Sequence, residues 1–284
     1  MTVITTSFMP CSAKMPIVAL IAGAFFSDSW LGGAWVATSA YFMGVAAVII
    51  SGVILKKTKP FIGEPAPFVM ELPAYHAPVA SNVLRSTWDR GWSFIKRAGT
   101  VILAASIIIW TLNSLSFEGG FHFISGEGGE SSILEVIGNA IAWLFAPLGF
   151  GTWEAAVATI LGLVAKEEVV GMFGSLGYGG SEQAIVTVLS GNALAGFSFM
   201  MFNLLCAPCF AAMGAIKREM NNGKWTAFAI GYMCVFAYAC SLIVYQLGAW
   251  FIGAGSIIGT IAAVLVLAFM VYMLVRPAKK ALNK

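Results

Sequence analysis

Two cysteines of this chain each follow a proline inside a strongly apolar segment. The first pair is Pro10-Cys11, in SFMPCSAKMP, and the second is Pro208-Cys209, in NLLCAPCFAAMGAIKRE. Proline lacks an amide proton and clashes with the preceding turn, so each helix should be interrupted at this point. The interruption frees carbonyl oxygens, and a thiolate beside them is a soft ligand for a cation. We interpret Cys11 and Cys209 as candidate metal ligands; the simpler alternative is two small buried apolar residues.

Three ionisable side chains lie in equally apolar surroundings, namely Lys14, Lys166 and Glu167. Such groups are expensive inside a membrane and usually functional. Lys166 and Glu167 could pair, relay protons or face a metal, and Glu168, offset by 100° around a helix, should matter less. The alternative is that Lys166, Glu167 and Glu168 lie at the interface, where their side chains extend into water. Lys14 could pair with a helix C-terminus or a carboxylate.

Cys206 and Cys209 form a CxxC pair, CAPC. In a soluble βαβ context this spacing indicates thiol–disulfide exchange, but the chain offers no such context. Prolines that interrupt helices at cysteines would also suit a thiol shuttle across the bilayer. A membrane thiol–disulfide carrier that uses Cys206, Cys209 and Cys11 is therefore a second functional hypothesis.

The composition indicates the class of protein that positions these groups. Of the 284 residues, 59% are hydrophobic and 10% are charged, whereas a soluble domain carries about 25% charged residues. An uncharged run extends from residue 183 to 216, and another of 51 residues from 225 to 275. The chain is predicted to be an all-α polytopic membrane protein. All five cysteines lie in apolar segments, which excludes a secreted disulfide framework.

Eight transmembrane helices are predicted, two of them interrupted at Pro-Cys. Fourteen of the 16 Lys and Arg residues then fall on one side, which places both termini in the cytoplasm. The run 136–153 is the least distinct and could be re-entrant. The first and sixth spans, which carry Cys11 and Cys209, cross in opposite directions, so inverted repeats around a shared midplane site are possible in this topology.

Several functions have no support in the sequence. There is no G-x-x-x-x-G-K-[ST] phosphate-binding loop and no readable catalytic Ser/His/Asp grouping, so no enzyme is predicted. Nothing basic is interleaved with aromatic residues as nucleic-acid binding would need.

Five motifs in order resemble the membrane half of the bacterial ferrous iron transport protein B family (FeoB). They are PCSAKMPIVALIAGAFF, FVMELPAYHAP, WSFIKRAGTVIL, LVAKEEVVG and LLCAPCFAAMGAIKRE, and they extend from about Phe8 to Glu219. The resemblance implies two Gate regions and a central membrane region. On that pattern the chain divides into a first Gate (1–55), an amphipathic cytoplasmic or interfacial segment (56–97), a central membrane region (98–182), a second Gate with an interrupted helix (183–219) and a C-terminal helix pair with a basic tail (220–284).

The resemblance also implies roles for individual residues. Cys11 and Cys209 match the cysteines proposed to handle Fe²⁺ in the two Gates, and Lys166 and Glu167 match a membrane-embedded Lys-Glu. Glu71, in the ELP sequence, matches a position of unassigned role. Cys206 matches nothing, so the iron hypothesis makes it dispensable, whereas a thiol carrier would need it as much as Cys209.

The implied function is passage of Fe²⁺ through the inner membrane of a bacterium. Family members normally begin with a cytoplasmic GTPase domain, a helical spacer and an earlier membrane segment, and this sequence shows none of them. We therefore expect a fragment, a split-gene subunit or a truncated reading frame, with GTP acting only through a missing or separate domain. The implied partners are that GTPase, small cytoplasmic accessory proteins and the lipid bilayer, and a homo-oligomer remains open.

Overall fold

A computed structural model describes residues 1–26, 32–58, 79–116, 122–123, 132–175, 179–253 and 255–277. These residues form twelve α-helices, two short 3-10 turns and one two-residue strand pair. The helices are α1 Thr2–Thr6, α2 Met15–Phe26, α3 Gly32–Lys56, α4 Ala80–Ser114, α5 Ile133–Phe145, α6 Trp153–Val164, α7 Glu167–Ser175, α8 Ser181–Val188, α9 Ala193–Leu205, α10 Phe210–Met220, α11 Gly223–Ile252 and α12 Ile257–Val275. The 3-10 turns are Ser12–Lys14 and Ala146–Leu148, and β1 Leu115–Ser116 pairs antiparallel with β2 His122–Phe123.

Polar residues define where several of these helices begin. Their side-chain oxygens accept hydrogen bonds from the free amides of the first turn, which an apolar environment would otherwise leave unpaired. Ser132 caps α5 in this way, Thr152 caps α6 and Asn192 caps α9. Gly253, at φ 78°, ends α11 in the left-handed conformation that glycine adopts without strain. The capping residues therefore divide the long apolar runs into separate helices.

Four helical segments are long and apolar enough to cross a membrane. They are α3, the segment Ala193–Met220 that joins α9 and α10, α11 and α12. The segment Ile133–Leu148 and helix α6 meet this criterion only as a pair, and a 95° bend separates them. The described residues thus agree with an all-α membrane protein that has four candidate spans, or five if the bent pair forms one span.

The structure differs from the eight predicted spans at identifiable places. The first predicted span is divided into α1, a 3-10 turn and α2, none of which is long enough alone. The predicted spans 136–153 and 154–176 become the bent pair followed by α7. Helix α4 runs without interruption from the predicted interfacial segment into the predicted third span, through residue 97 where the sequence placed a boundary.

The core of the protein forms around α9, which is the most completely enclosed helix. It packs on α11 and α2, and Phe199 on α9 makes edge-to-face contacts with Phe150 and Phe173. Ser198 on α9 and Ser241 on α11 lie 2.7 Å apart through their hydroxyl oxygens, and both are fully buried. A buried hydroxyl pair of this kind holds two helices in one register. Helix α9 is thus a fixed support for the residues that follow it.

Candidate metal-transport site

The first interruption of helical structure lies at Pro10 and Cys11. Helix α1 ends before them, Cys11 is extended (φ −101°, ψ 167°), and the 3-10 turn begins at Ser12. Gly44 on α3 makes room for this segment, because a Cβ atom at Gly44 would lie 2.7 Å from Cδ of Pro10. The Cys11 side chain is exposed at the protein surface.

Lys14 ends this interrupted segment and is almost completely enclosed, at 2% exposure. Its Nζ donates a hydrogen bond of 3.1 Å to the carbonyl oxygen of Ser7, the residue that caps α1. Carbonyl groups at a helix C-terminus carry partial negative charge and stabilise a nearby cation. Lys14 therefore has the kind of partner that the sequence suggested for it.

The second interruption lies between α9 and α10, from Cys206 to Cys209. Cys206 follows α9 in an extended conformation (φ −66°, ψ 172°), and Cys209 precedes α10 with φ −61° and ψ 161°. Pro208 cannot donate an amide hydrogen bond, which agrees with the loss of the helical ladder at this point. Cys206 is 1% exposed, whereas Cys209 is half-buried.

A third interruption lies at Ala165 and Lys166, where the sequence predicted an unbroken span. Ala165 is extended (φ −148°, ψ 132°), α6 ends before it, and α7 begins at Glu167. Lys166 is 1% exposed, and its Nζ donates a hydrogen bond of 3.0 Å to Sγ of Cys206. The lysine therefore connects the third interruption directly to the second.

Lys14 interacts electrostatically with groups from all three interruptions. Its ammonium group is close enough to Lys166 and to Cys11, Cys206 and Cys209 to interact with them electrostatically. Three thiols and two buried ammonium groups thus share one neighbourhood, although they come from segments almost 200 residues apart in the chain. We call this group the thiol–lysine cluster.

The cluster can bind a cation only after some rearrangement. Among the residues that the structure describes, no three His, Cys, Asp or Glu side chains are arranged to hold a metal ion. Two ammonium groups also repel an incoming cation. A soft cation could be bound here transiently by thiolates and freed carbonyl groups, which is the behaviour that a transport path needs.

Comparison with known proteins bears on what such a path carries. Residues 37–90 match the family described as "Ferrous iron transport protein B C terminus", and residues 95–223 match the Gate family, described as "Nucleoside recognition". The chain belongs to the ferrous iron transport protein B family. No solved structure matches it.

Three relatives show how much of a family member the chain represents. The Fe(2+) transporter FeoB of Staphylococcus aureus (strain COL) is 34% identical over 88% of this chain, and that of Methanocaldococcus jannaschii is 35% identical over 87%. In both cases the match covers 37% of the relative's length. An Fe(2+) transport protein A/Fe(2+) transporter FeoB fusion protein of Porphyromonas gingivalis is 30% identical over 88% of the chain and 34% of its own length. The chain spans little more than a third of these relatives, and it corresponds to the C-terminal part of FeoB.

Two predicted site residues remain, Glu71 and Glu167. Glu71 lies outside the described residues. Glu167 is exposed and Glu168 is 8% exposed, so the carboxylate expected to matter less is the more enclosed one. The prediction extrapolated 100° per residue through a continuous helix. Because the extended Ala165 ends α6, the side-chain directions in α7 do not follow from that extrapolation.

Sequence reasoning missed Asn203. It lies one turn before Cys206, is fully buried, and donates through Nδ2 to the carbonyl oxygen of Phe199 at 3.0 Å. Its Oδ1 has no hydrogen-bond partner among the described residues. The sequence did contain a signal for this residue: its side-chain amide lies three residues before a cysteine, inside a run of 34 uncharged residues.

Proposed function

We propose that the chain is the membrane permease part of a ferrous iron uptake system and moves Fe²⁺ across a bacterial inner membrane. The relatives are named Fe(2+) transporters, and the family model that matches residues 37–90 is described as "Ferrous iron transport protein B C terminus". The observation that carries the proposal is the hydrogen bond from the buried Lys166 to the buried Cys206 in the second interruption. A permease needs such a place, where a polar group lies inside an otherwise apolar protein.

In this proposal Cys11 and Cys209 are soft ligands on the path of the ion. Freed carbonyl oxygens at the two interruptions assist them. Thiolates bind Zn²⁺ and Cu⁺ as well as Fe²⁺, so the sulfur atoms alone do not make the path selective. The ammonium groups of Lys14 and Lys166 keep the affinity moderate, because they repel a bound cation and favour its release.

The proposed topology has eight spans with both termini in the cytoplasm. It rests on the distribution of Lys and Arg, of which 14 of 16 fall on one side. The first and sixth spans then cross in opposite directions, and each is interrupted at a Pro-Cys pair. Inverted repeats packed around a shared site at the bilayer midplane are the arrangement that this pattern favours.

The proposed partners supply what this part of a FeoB protein does not contain. A GTPase unit, on the same or another chain, would couple GTP to transport through contacts with the cytoplasmic side. The fusion protein of P. gingivalis supports an A-type transport protein as a small cytoplasmic accessory. The lipid bilayer is the third partner, and a homo-oligomer is compatible with the proposal.

Initial rates of ⁵⁵Fe²⁺ uptake in an uptake-deficient host test this function, with a GTPase part supplied on a second chain. We expect Cys11→Ser and Cys209→Ser each to lower the rate at least about tenfold, which corresponds to roughly 1.4 kcal/mol. Cys240→Ser is the matched control, since Cys240 is a half-buried thiol of α11 outside the cluster. Full uptake by both variants would show that these thiols are not ligands.

A thiol–disulfide carrier is a second candidate, favoured by the closeness of Cys11, Cys206 and Cys209 to the same ammonium group. A carrier must form a disulfide between two of these residues in its oxidised state. Alkylation followed by mass measurement, under reducing and oxidising conditions, detects such a pair. If neither Cys206–Cys209 nor Cys11–Cys209 forms under any condition, the carrier function is eliminated and iron transport is unaffected.

A further inference from the structure

We propose that Cys206 and Asn203 form an additional cation-binding position on the transport path. In the absence of Fe²⁺ the Lys166 ammonium bonds the Cys206 sulfur, and the Asn203 amide oxygen has no partner among the described residues. This inference rests on the proposed function and extends it. The family resemblance assigned no role to Cys206, and iron transport through Cys11 and Cys209 alone would make Cys206 dispensable.

The first observation is the cation already present beside the sulfur. Lys166 Nζ lies 3.0 Å from Sγ of Cys206, and both residues are 1% exposed. A positive charge removed from water needs close negative or polar partners. The surroundings of Cys206 therefore stabilise a cation at short range.

Backbone oxygen atoms complete one side of this position. The carbonyl oxygens of Asn203 and Ala207 lie 3.6 Å and 3.7 Å from Sγ of Cys206. Cys206 ends α9 and Pro208 donates no amide hydrogen, so these carbonyl groups lie where the helical ladder stops. Cys234 on α11 lines the same cavity as Cys206.

Asn203 supplies an independent indication of a ligand. Its Oδ1 is completely buried and has no hydrogen-bond partner in the part of the chain that the structure describes. The oxygen faces α6, since a Cβ atom at Gly162 would lie 3.3 Å from Oδ1 and 3.9 Å from Cδ of Lys166. A buried acceptor without a partner is destabilising, and a cation bound at Oδ1 would satisfy it.

Free volume adjoins the Cys206 side of this position. A cavity of about 300 Å³ is lined by Cys206, Cys234, Thr159, Leu163 and Phe202, among others. One water molecule takes up about 30 Å³ in the liquid, so the cavity exceeds the volume of a partly hydrated ion. Most of its lining side chains are apolar and Cys206 is one of its two thiols, so a cation that enters the cavity would be held at the Cys206 edge.

These contacts indicate the class of ion. One thiolate with amide and carbonyl oxygens is a mixed soft and hard ligand set, which suits a borderline divalent metal such as Fe²⁺ or Co²⁺. Binding requires the Lys166 ammonium to leave Sγ, since two cations cannot share one thiolate at this distance. Lys166 thus acts as a tethered competitor that each passing ion displaces.

Anaerobic titration of the full chain in lipid nanodiscs with Co²⁺ tests this position, with the thiolate-to-cobalt charge-transfer band as the signal. We expect Cys206→Ser and Asn203→Leu each to raise the Kd for Co²⁺ about tenfold or more, in line with the loss of a group that holds or orients a metal. Lys166→Met should lower the Kd about tenfold, because no ammonium has to leave. Cys240→Ser is the matched thiol control and should leave the band and the Kd unchanged.

Folding of each variant is checked by size-exclusion elution in detergent, and Cys206→Ala provides a second substitution if Cys206→Ser does not elute as the native protein. An unchanged band and Kd in the folded Cys206 variant would overturn the inference. Unchanged or weaker Co²⁺ binding by Lys166→Met would show that the metal does not displace the lysine.

If Cys11→Ser and Cys209→Ser lose uptake while Cys206→Ser binds Co²⁺ normally, only this inference fails. If the wild-type chain gives no band and Cys11→Ser and Cys209→Ser transport normally, the proposed function fails with it.

Discussion

The two Pro-Cys interruptions share a sequence pattern but have different surroundings. Cys11 is exposed, and the segment around it is supported by Gly44 on α3. The second interruption is enclosed, with Cys206 at 1% exposure and Lys166 hydrogen-bonded to its sulfur. Proline dictates only where the helix stops, whereas neighbouring helices decide what the freed groups meet. We call the exposed first interruption the open end and the enclosed second interruption the closed end.

The two buried lysines show the same difference. Lys14 donates to a backbone carbonyl group of its own interrupted segment, seven residues away. Lys166 donates to a thiol 40 residues away, on another segment. The first contact is local and can form as the segment folds, while the second needs α6, α7 and α9 to be packed. The closed end therefore depends on tertiary structure far more than the open end does.

Thiol accessibility should give the largest difference between the two interruptions. In chains that retain a single cysteine, we expect a small maleimide in detergent to label Cys11 at least about a hundredfold faster than Cys206. Labelling of Cys206 requires a local opening that costs several kcal/mol. Equal rates would mean that the second interruption is as open as the first. Cys240 alone, which is half-buried, should react at an intermediate rate.

Substitution of Gly44, which packs against Pro10 of the first interruption, should have the next largest effect. A Cβ atom in Gly44→Ala would lie 2.7 Å from Cδ of Pro10 and 3.2 Å from the carbonyl oxygen of Phe8. We expect the free energy of unfolding in mixed micelles to fall by about 1–3 kcal/mol, because the added methyl group overpacks the contact. Cys206 labelling should not change.

Gly52→Ala is the control for this experiment, since it lies on the same helix and its Cβ atom would be 3.9 Å from Cγ2 of Thr5, an ordinary contact. Alanine is the better helix former, so this variant should gain about 0.5–1 kcal/mol. If both substitutions lowered the free energy of unfolding equally, Gly44→Ala would be acting on helix α3 itself and not on its contact with Pro10.

Electrostatic coupling between the two ends should be the smallest effect. Lys14 and Lys166 repel each other, and this repulsion is removed once whether one or both residues are replaced. The Lys14→Met/Lys166→Met double variant should therefore be less stable than the two single effects predict, by about 0.5–3 kcal/mol in a double-mutant cycle. Additive effects would mean that the two ends are electrostatically independent. Lys217→Met, in the last turn of α10, combined with Lys14→Met should be additive.

Much of the fold class and part of the site could be predicted from local pattern. Uncharged runs predict membrane helices because each apolar residue contributes separately to the free energy of transfer from water into the bilayer. The number of spans could not be read in the same way. The 95° bend between Ile133–Leu148 and α6, and the extended Ala165, depend on packing that hydropathy does not encode.

The sequence by itself determined the membrane class and the family, because composition and short motifs can be read without knowing how the helices pack. Only the tertiary structure decided that Lys166 reaches Cys206, that Glu168 is more enclosed than Glu167, and that Oδ1 of Asn203 is left without a partner. The Lys166–Cys206 contact joins segments 40 residues apart in the chain. Their energies depend on distance and burial, which exist only after the helices have packed.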